Sequence, residues 1–125
     1  AVERVVLMTG KMYYDLAEQR EKDAAKLGNV ALVRVEELSP FPFEELRSEL
    51  GRYPNARAVV WAQEEPENMG ALSFVAPRLR HILSSPDSLH FVSRPPAAAP
   101  AVGVSERHRR EVIALHKAVW AAGTA

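Results

Sequence analysis

Four short apolar runs punctuate this chain, at residues 5–8, 30–35, 58–62 and 89–92, and a longer mixed polar and apolar stretch follows each. That alternation limits the fold more than any other feature. Val5-Val6-Leu7-Met8 is continuous rather than alternating, so it reads as a strand covered on both faces, and Thr9-Gly10 ends it. Residues 11–27 place Tyr14, Leu16, Ala17, Ala24 and Leu27 at near-helical spacing among charges, with Gly28 and Asn29 as the stop. After the second strand, two prolines stiffen Leu38-Ser39-Pro40-Phe41-Pro42-Phe43, and Pro42-Phe43-Glu44-Glu45 opens a helix that runs to about Tyr53. The third strand ends at Ala62, so Gln63-Glu64-Glu65 begins a loop. Residues 71–83 read as a helix that Pro77 kinks or splits. Residues 94–104 are rich in proline and alanine and read as an ordered loop over the surface. Ser105 then caps a last helix reaching about Trp120, with Glu106 near its positive end. Strand followed by helix four times predicts an α/β fold: a parallel sheet with helices on both faces, joined by right-handed crossovers.

The 125 residues are the size of one domain, and we read 1–125 as a single unit. Sixteen basic residues balance sixteen acidic ones, which gives no support to a general nucleic-acid or membrane-surface binder. With no cysteine, disulfides, thiolate catalysis and cysteine-ligated metals are excluded. No apolar run approaches the roughly 20 residues of a membrane span. The N-terminus lacks the layout of a signal peptide and opens almost directly into a strand, as expected of a fragment of a larger chain.

In a parallel sheet the carboxyl ends of the strands share one edge, where ligands bind at the topological switch point. Here that edge collects Thr9-Gly10-Lys11, Glu36-Glu37, Gln63-Glu64-Glu65 and Ser93-Arg94. Thr9-Gly10-Lys11 is either an anion-favouring strand-to-helix turn or simply a tight turn. It is not a P-loop, since Val5 and Met12 stand where that motif needs glycine and Ser or Thr. Glu64 and Glu65 read either as an acid–base pair or as one paired and one solvated carboxylate, and neighbours on a strand point to opposite faces. His81, His90, His108 and His116 lack metal-ligand spacing, and no serine sits in a nucleophile-elbow context. We therefore assign no catalytic residue and no metal ligand. Arg107, Arg109, Arg110 and Lys117 make the last helix basic, either as a solvated face or as a contact for an anion or acidic partner.

Taken together, several blocks resemble a known family. They are Thr9-Gly10-Lys11-Met12-Tyr13-Tyr14-Asp15-Leu16, Arg34-Val35-Glu36-Glu37-Leu38-Ser39-Pro40-Phe41-Pro42, Gln63-Glu64-Glu65-Pro66-Glu67-Asn68-Met69-Gly70 and the run from Arg94 to Gly103, with His108 beyond. In order and spacing they are similar to the C-terminal domain of the thiamine-diphosphate-dependent component of 2-oxoglutarate dehydrogenase, and equally to its 2-oxoadipate dehydrogenase relative. The resemblance implies a transketolase C-terminal-domain-like fold, with strand order 2-1-3-4 and a crevice between strands 1 and 3. It also implies a further antiparallel strand from earlier sequence beside strand 2, so that edge is expected to be exposed. Thiamine diphosphate and magnesium are implied for the parent enzyme, held by other domains; this chain is expected to hold no cofactor and to be inactive alone. The implied role is in homodimer assembly, in supporting the active-site domains and in allosteric binding of an acetyl-CoA activator, for which Thr9 and Arg94 match the pocket positions. Implied partners are the other domains and a lipoyl-bearing succinyltransferase that takes the acyl group within the tricarboxylic acid cycle. The implied location is cytoplasmic in a bacterium and the mitochondrial matrix in a eukaryote. Leu72, Ser93 and Pro95 depart from the family pattern, which has tryptophan, glycine and, in acetyl-CoA-regulated members, a second arginine at those places. An independent nucleotide- or anion-binding regulatory module is the competing reading.

Overall fold

A computed structural model describes residues 2–38, 40–83, 88–94 and 105–124, with residues 105–108 described by their backbone alone. The expected loop over residues 95–104 and the side chains of Ser105, Glu106, Arg107 and His108 lie outside the described residues.

Four strands, β1 (Arg4–Met8), β2 (Val30–Arg34), β3 (Ala58–Pro66) and β4 (Leu89–Arg94), form one parallel sheet in the order β2-β1-β3-β4. Between them run α1 (Met12–Lys22), the single turn α2 (Ala24–Leu27), α3 (Phe43–Gly51) and α4 (Leu72–Ile82), and α5 (Ser105–Ala121) closes the chain. The alternation along β1 divides the core in two. Val6 and Met8 pack with Met12, Leu16, Leu115 and Val119 of α1 and α5, while Val5 and Leu7 pack with Leu46, Val75 and Leu79 of α3 and α4. Val5 through Met8 are fully buried, which explains the unbroken apolar run. Each such side chain contributes about 1.5–3 kcal/mol to burial.

Three local expectations are corrected. The helix over 11–27 is interrupted at Asp23, whose φ of −132° and ψ of 54° leave the helical region; aspartate competes for backbone hydrogen bonds and favours such breaks. The third strand does not stop at Ala62 but continues to Pro66. Of the two effects expected of Pro77, a kink or a break, the break does not occur: α4 is one helix over Leu72–Ile82. Pro77 lies on the exposed side and has no N–H for the carbonyl of Ser73. Pro77→Ala restores that donor, so we expect stabilisation by about 1 kcal/mol after the loss of proline's unfolded-state rigidity. Thermal unfolding followed by circular dichroism checks this, with a rise of about 4 °C expected; a fall would show that the proline geometry is needed for packing.

β2 ends the sheet. Val35 N donates to Met8 O (2.7 Å) and Asn29 O accepts from Glu3 N (2.8 Å), so alternate residues between them turn their backbone toward β1. Val30, Leu32 and Arg34 therefore turn theirs outward, and among the described residues no further strand pairs with this edge, beside which the resemblance implied one. Arg20 Nη1 donates to Val30 O at 3.0 Å and caps one end of that edge.

Side-chain hydrogen bonds fix the C-terminal part of α5. Trp120 Nε1 donates to Gln19 Oε1 (2.7 Å), which turns the Gln19 amide nitrogen to His116 Nδ1 (2.8 Å) as its acceptor. Buried Arg4 donates from Nη1 to the carbonyls of Trp120 and Ala122, where the helix dipole favours a cation. Burial holds the Arg4 pKa below its ordinary value, against the opposing pull of Glu3.

Candidate functional site

The strand order puts the topological switch between β1 and β3, which diverge beyond the Leu7–Trp61 pair toward Thr9-Gly10 and Gln63. Gly10 makes the turn into α1 with φ +72°, a conformation that side chains rarely adopt. Lys11 is exposed, and its carbonyl accepts from Tyr14 N and Asp15 N. Beside this turn, Arg34 donates to the Tyr14 hydroxyl and the Glu36 carboxylate, which hold its pKa above the ordinary value in that order.

The glutamate segment has a more specific structure than a loop. β3 and β4 pair regularly as far as Ala62 and Val92, and next at Pro66 and Arg94, so residues 63–65 of β3 face Ser93 alone. Such a bulge leaves backbone groups without ladder partners. Two side chains satisfy them. Buried Gln63 receives the indole N–H of Trp61 at Oε1 (3.1 Å), and its Nε2 lies 2.8 Å from Met69 O, 3.0 Å from Pro66 O and 3.3 Å from Glu65 O. Arg94 donates from Nε to Glu64 O (2.6 Å) and from Nη1 to the Glu111 carboxylate of α5 (3.1 Å). Its own carbonyl accepts from Glu67 N. Gly70 completes the turn at φ +69°, where an added Cβ would lie 3.0 Å from Glu65 Cβ.

The two carboxylates thus occupy different settings: Glu64 is half-buried and Glu65 exposed. Gln63, Glu64, Glu65 and Arg94 come together through the bulge. Thr9, Gly10 and Lys11 stand on the far side of β3 from Arg94, with strand axes about 10 Å apart. A cavity of about 780 Å³ opens on the β4 side, where its lining includes Glu67, Ser73, Arg80, Phe91, Ser93 and Arg94 but neither Thr9 nor Glu64. Glu111 was not singled out from the sequence, because nothing in its spacing marks a partner seventeen residues away. Among the described residues no three histidine or acidic side chains converge as a metal site, and no helix is long and apolar enough to cross a membrane.

The family described as 2-oxoglutarate dehydrogenase C-terminal matches residues 1–120. The chain belongs to that family. It is 48% identical over 111 residues to the 2-oxoadipate dehydrogenase complex component E1 of Xenopus laevis, covering 89% of this chain and 12% of that protein. With the 2-oxoglutarate dehydrogenase E1 component of Coxiella burnetii (strain RSA 493 / Nine Mile phase I) it shares 45% identity over 104 residues, 83% of this chain and 11% of that protein. The chain thus spans about one eighth of the curated relatives it matches. A solved structure described as a split gene transketolase, an inactive beta4 tetramer, aligns with a TM-score of 0.64 at 20% identity, covering 97% of this chain and 38% of that one. It shows the same fold, transketolase-like as expected. The 2-oxoglutarate dehydrogenase C-terminal family therefore places this chain as a C-terminal domain of the E1 type.

Proposed function

We infer that this chain is the non-catalytic C-terminal domain of a thiamine-diphosphate-dependent 2-oxo acid dehydrogenase. The parent would decarboxylate 2-oxoglutarate or 2-oxoadipate and pass the acyl group to a lipoyl-bearing succinyltransferase. The match over residues 1–120 carries this reading. Thiamine diphosphate and its magnesium ion belong to other domains of the parent. The work of this domain is mechanical: it completes a homodimer, and its rigid strand ends support the active-site domains. The locked bulge suits that task, because Gln63 and Arg94 remove the backbone freedom of the segment that carries Glu64 and Glu65. The outward edge of β2 suits it as well, as a place for one strand from the rest of the parent. An anionic activator reaching Arg94 would exchange with Glu111 for the guanidinium. The location would be the cytoplasm in a bacterium and the mitochondrial matrix in a eukaryote.

The test mixes the purified chain with 2-oxoglutarate, thiamine diphosphate, magnesium and an electron acceptor. No turnover is expected, and deleting this domain from the parent should abolish the parent's turnover. Turnover by the chain alone would overturn the reading.

A further inference from the structure

We propose that the aromatic patch between the first turns of α3 and α4 is covered, in the parent protein, by an apolar surface of the parent's other domains. This rests on the reading that the chain is the C-terminal domain of a larger dehydrogenase. The chain has four phenylalanines, and none is among its buried residues, although phenylalanine is one of the residue types most often buried. The core is built from aliphatic side chains, methionine and Trp61 instead. Three of the four phenylalanines meet at one place. The Phe41 ring lies 4.8 Å from that of Phe43 and 6.3 Å from that of Phe74, and Phe43 lies 6.1 Å from the imidazole of His81, each pair edge-on. Phe41 packs against the core on the α3 and α4 side, but Phe43 and Phe74 belong to neither core cluster. A cavity of about 520 Å³ opens beside them, with Phe41, Phe43, Arg47 and His81 in its lining. Residues 40–83 are described throughout, side chains included. Ser73, Pro77 and Arg80 of α4 line the separate cavity that reaches Arg94.

Tyr14 and Ile113 also project from the surface. Ile113 stands singly, which is normal, and the Tyr14 hydroxyl is bonded to Arg34. Phenyl rings carry no polar atom, so three in contact make a continuous apolar surface, and such patches mark interaction sites. The arginines at the margin are already held. Arg78 lies 3.5 Å over the Phe74 ring and donates to Phe74 O, and Arg47 meets Glu44 at 3.0 Å. An apolar centre inside a polar rim is the layout of an interface core, so the matching surface is apolar rather than ionic. The relatives' length names the occupant. The chain spans 12% of the first relative, so most of the parent is other domains on the same polypeptide. Tethering presents them to this face at an effective concentration of order millimolar, above that of a separate copy in ordinary solution. The place fits too: α3 and α4 follow β2 and β3, so their first turns lie at the carboxyl edge of the sheet.

The chain has no cysteine, so Phe74→Cys gives this domain one thiol. Its alkylation by iodoacetamide is followed by mass spectrometry of the residue-74 peptide, in the isolated chain and in the parent enzyme. Phe74 is 36% exposed, so the thermal midpoint of the isolated variant should stay within about 2 °C of the unmodified chain. We expect alkylation about tenfold or more slower in the parent, at any parent concentration, with no loss of protection in high salt. Phe43→Cys serves as a second probe with the same expected order. Hydrogen exchange of the unmodified proteins repeats the test without a substitution, with the first turns of α3 and α4 exchanging more slowly in the parent. Equal rates in the parent and the isolated chain would overturn the proposal. Protection that appears in the isolated chain as its concentration rises would also overturn it, assigning the patch to a contact between copies. Protection lost when the parent is diluted to monomers would do the same, assigning it to the partner subunit. Deleting the domain separates this failure from that of the functional reading. If the parent still turns over without it, the reading itself fails; if turnover is abolished while residue 74 stays open in the parent, only the docking assignment fails.

Discussion

Replacing Gln63 with leucine is expected to lower the unfolding free energy by about 3 kcal/mol. Leucine fills nearly the same volume, so the cost is polar. The buried indole N–H of Trp61 loses its acceptor, and the carbonyls of Pro66 and Met69 lose their donor. Each buried group left without a partner costs about 1–3 kcal/mol, and some of the carbonyls recover water as the turn relaxes. Denaturant unfolding gives the magnitude, and a red shift of Trp61 emission locates the change. Gln63→Glu supplies the sign test. It keeps an acceptor for Trp61 but turns a second oxygen toward Met69 O, so the charged form is disfavoured in the folded state. Its folded pKa is thereby raised, so the variant is most stable below the unfolded carboxyl pKa, and the penalty grows as pH rises. A cost below about 1 kcal/mol for Gln63→Leu would mean that the bulge does not depend on this amide.

The sheet was legible because its information is local. Val5-Val6-Leu7-Met8 is apolar at every position because both faces of β1 are covered, and a helical stretch after each run fixes the class. The order 2-1-3-4 came from the resemblance, since periodicity alone does not rank strands. The bulge was not legible. Gln63-Glu64-Glu65 is polar, and polar residues past an apolar run look like a loop; they continue as strand because Gln63 and Arg94 take over the missing ladder bonds. Half of that substitution comes from Arg94 of β4, thirty residues beyond Glu64 and itself held by Glu111 of α5, and nothing in the spacing of the sequence marks those pairings. The break at Asp23 was missed for the opposite reason, since the apolar spacing of residues 11–27 runs on across it.

Replacing Arg94 with methionine is expected to cost about 2 kcal/mol and to loosen α5 from the strand ends. The Arg94 side chain is 10% exposed and the Glu111 side chain 30%, so the pair lies between a surface bridge and a buried one. Removing one partner of a fully buried pair costs about 3–5 kcal/mol, and the access of Glu111 to water reduces that figure. The loss of the Nε donor to Glu64 O adds to it, because that carbonyl lies where the ladder is already interrupted. Arg94→Lys restores the charge but not the two-direction fork, so it should recover less than half of the loss. Glu111→Leu combined with Arg94→Met should cost less than the sum of the single changes, because no charge is then left behind. These measurements separate two roles for the arginine. If it holds the bulge, stability falls in the isolated chain with no ligand present, and the double-mutant cycle shows coupling of about 1 kcal/mol or more. If Arg94→Met leaves the isolated chain unchanged and alters only its response to an added anion such as acetyl-CoA, the guanidinium serves the ligand and the fold does not rest on it.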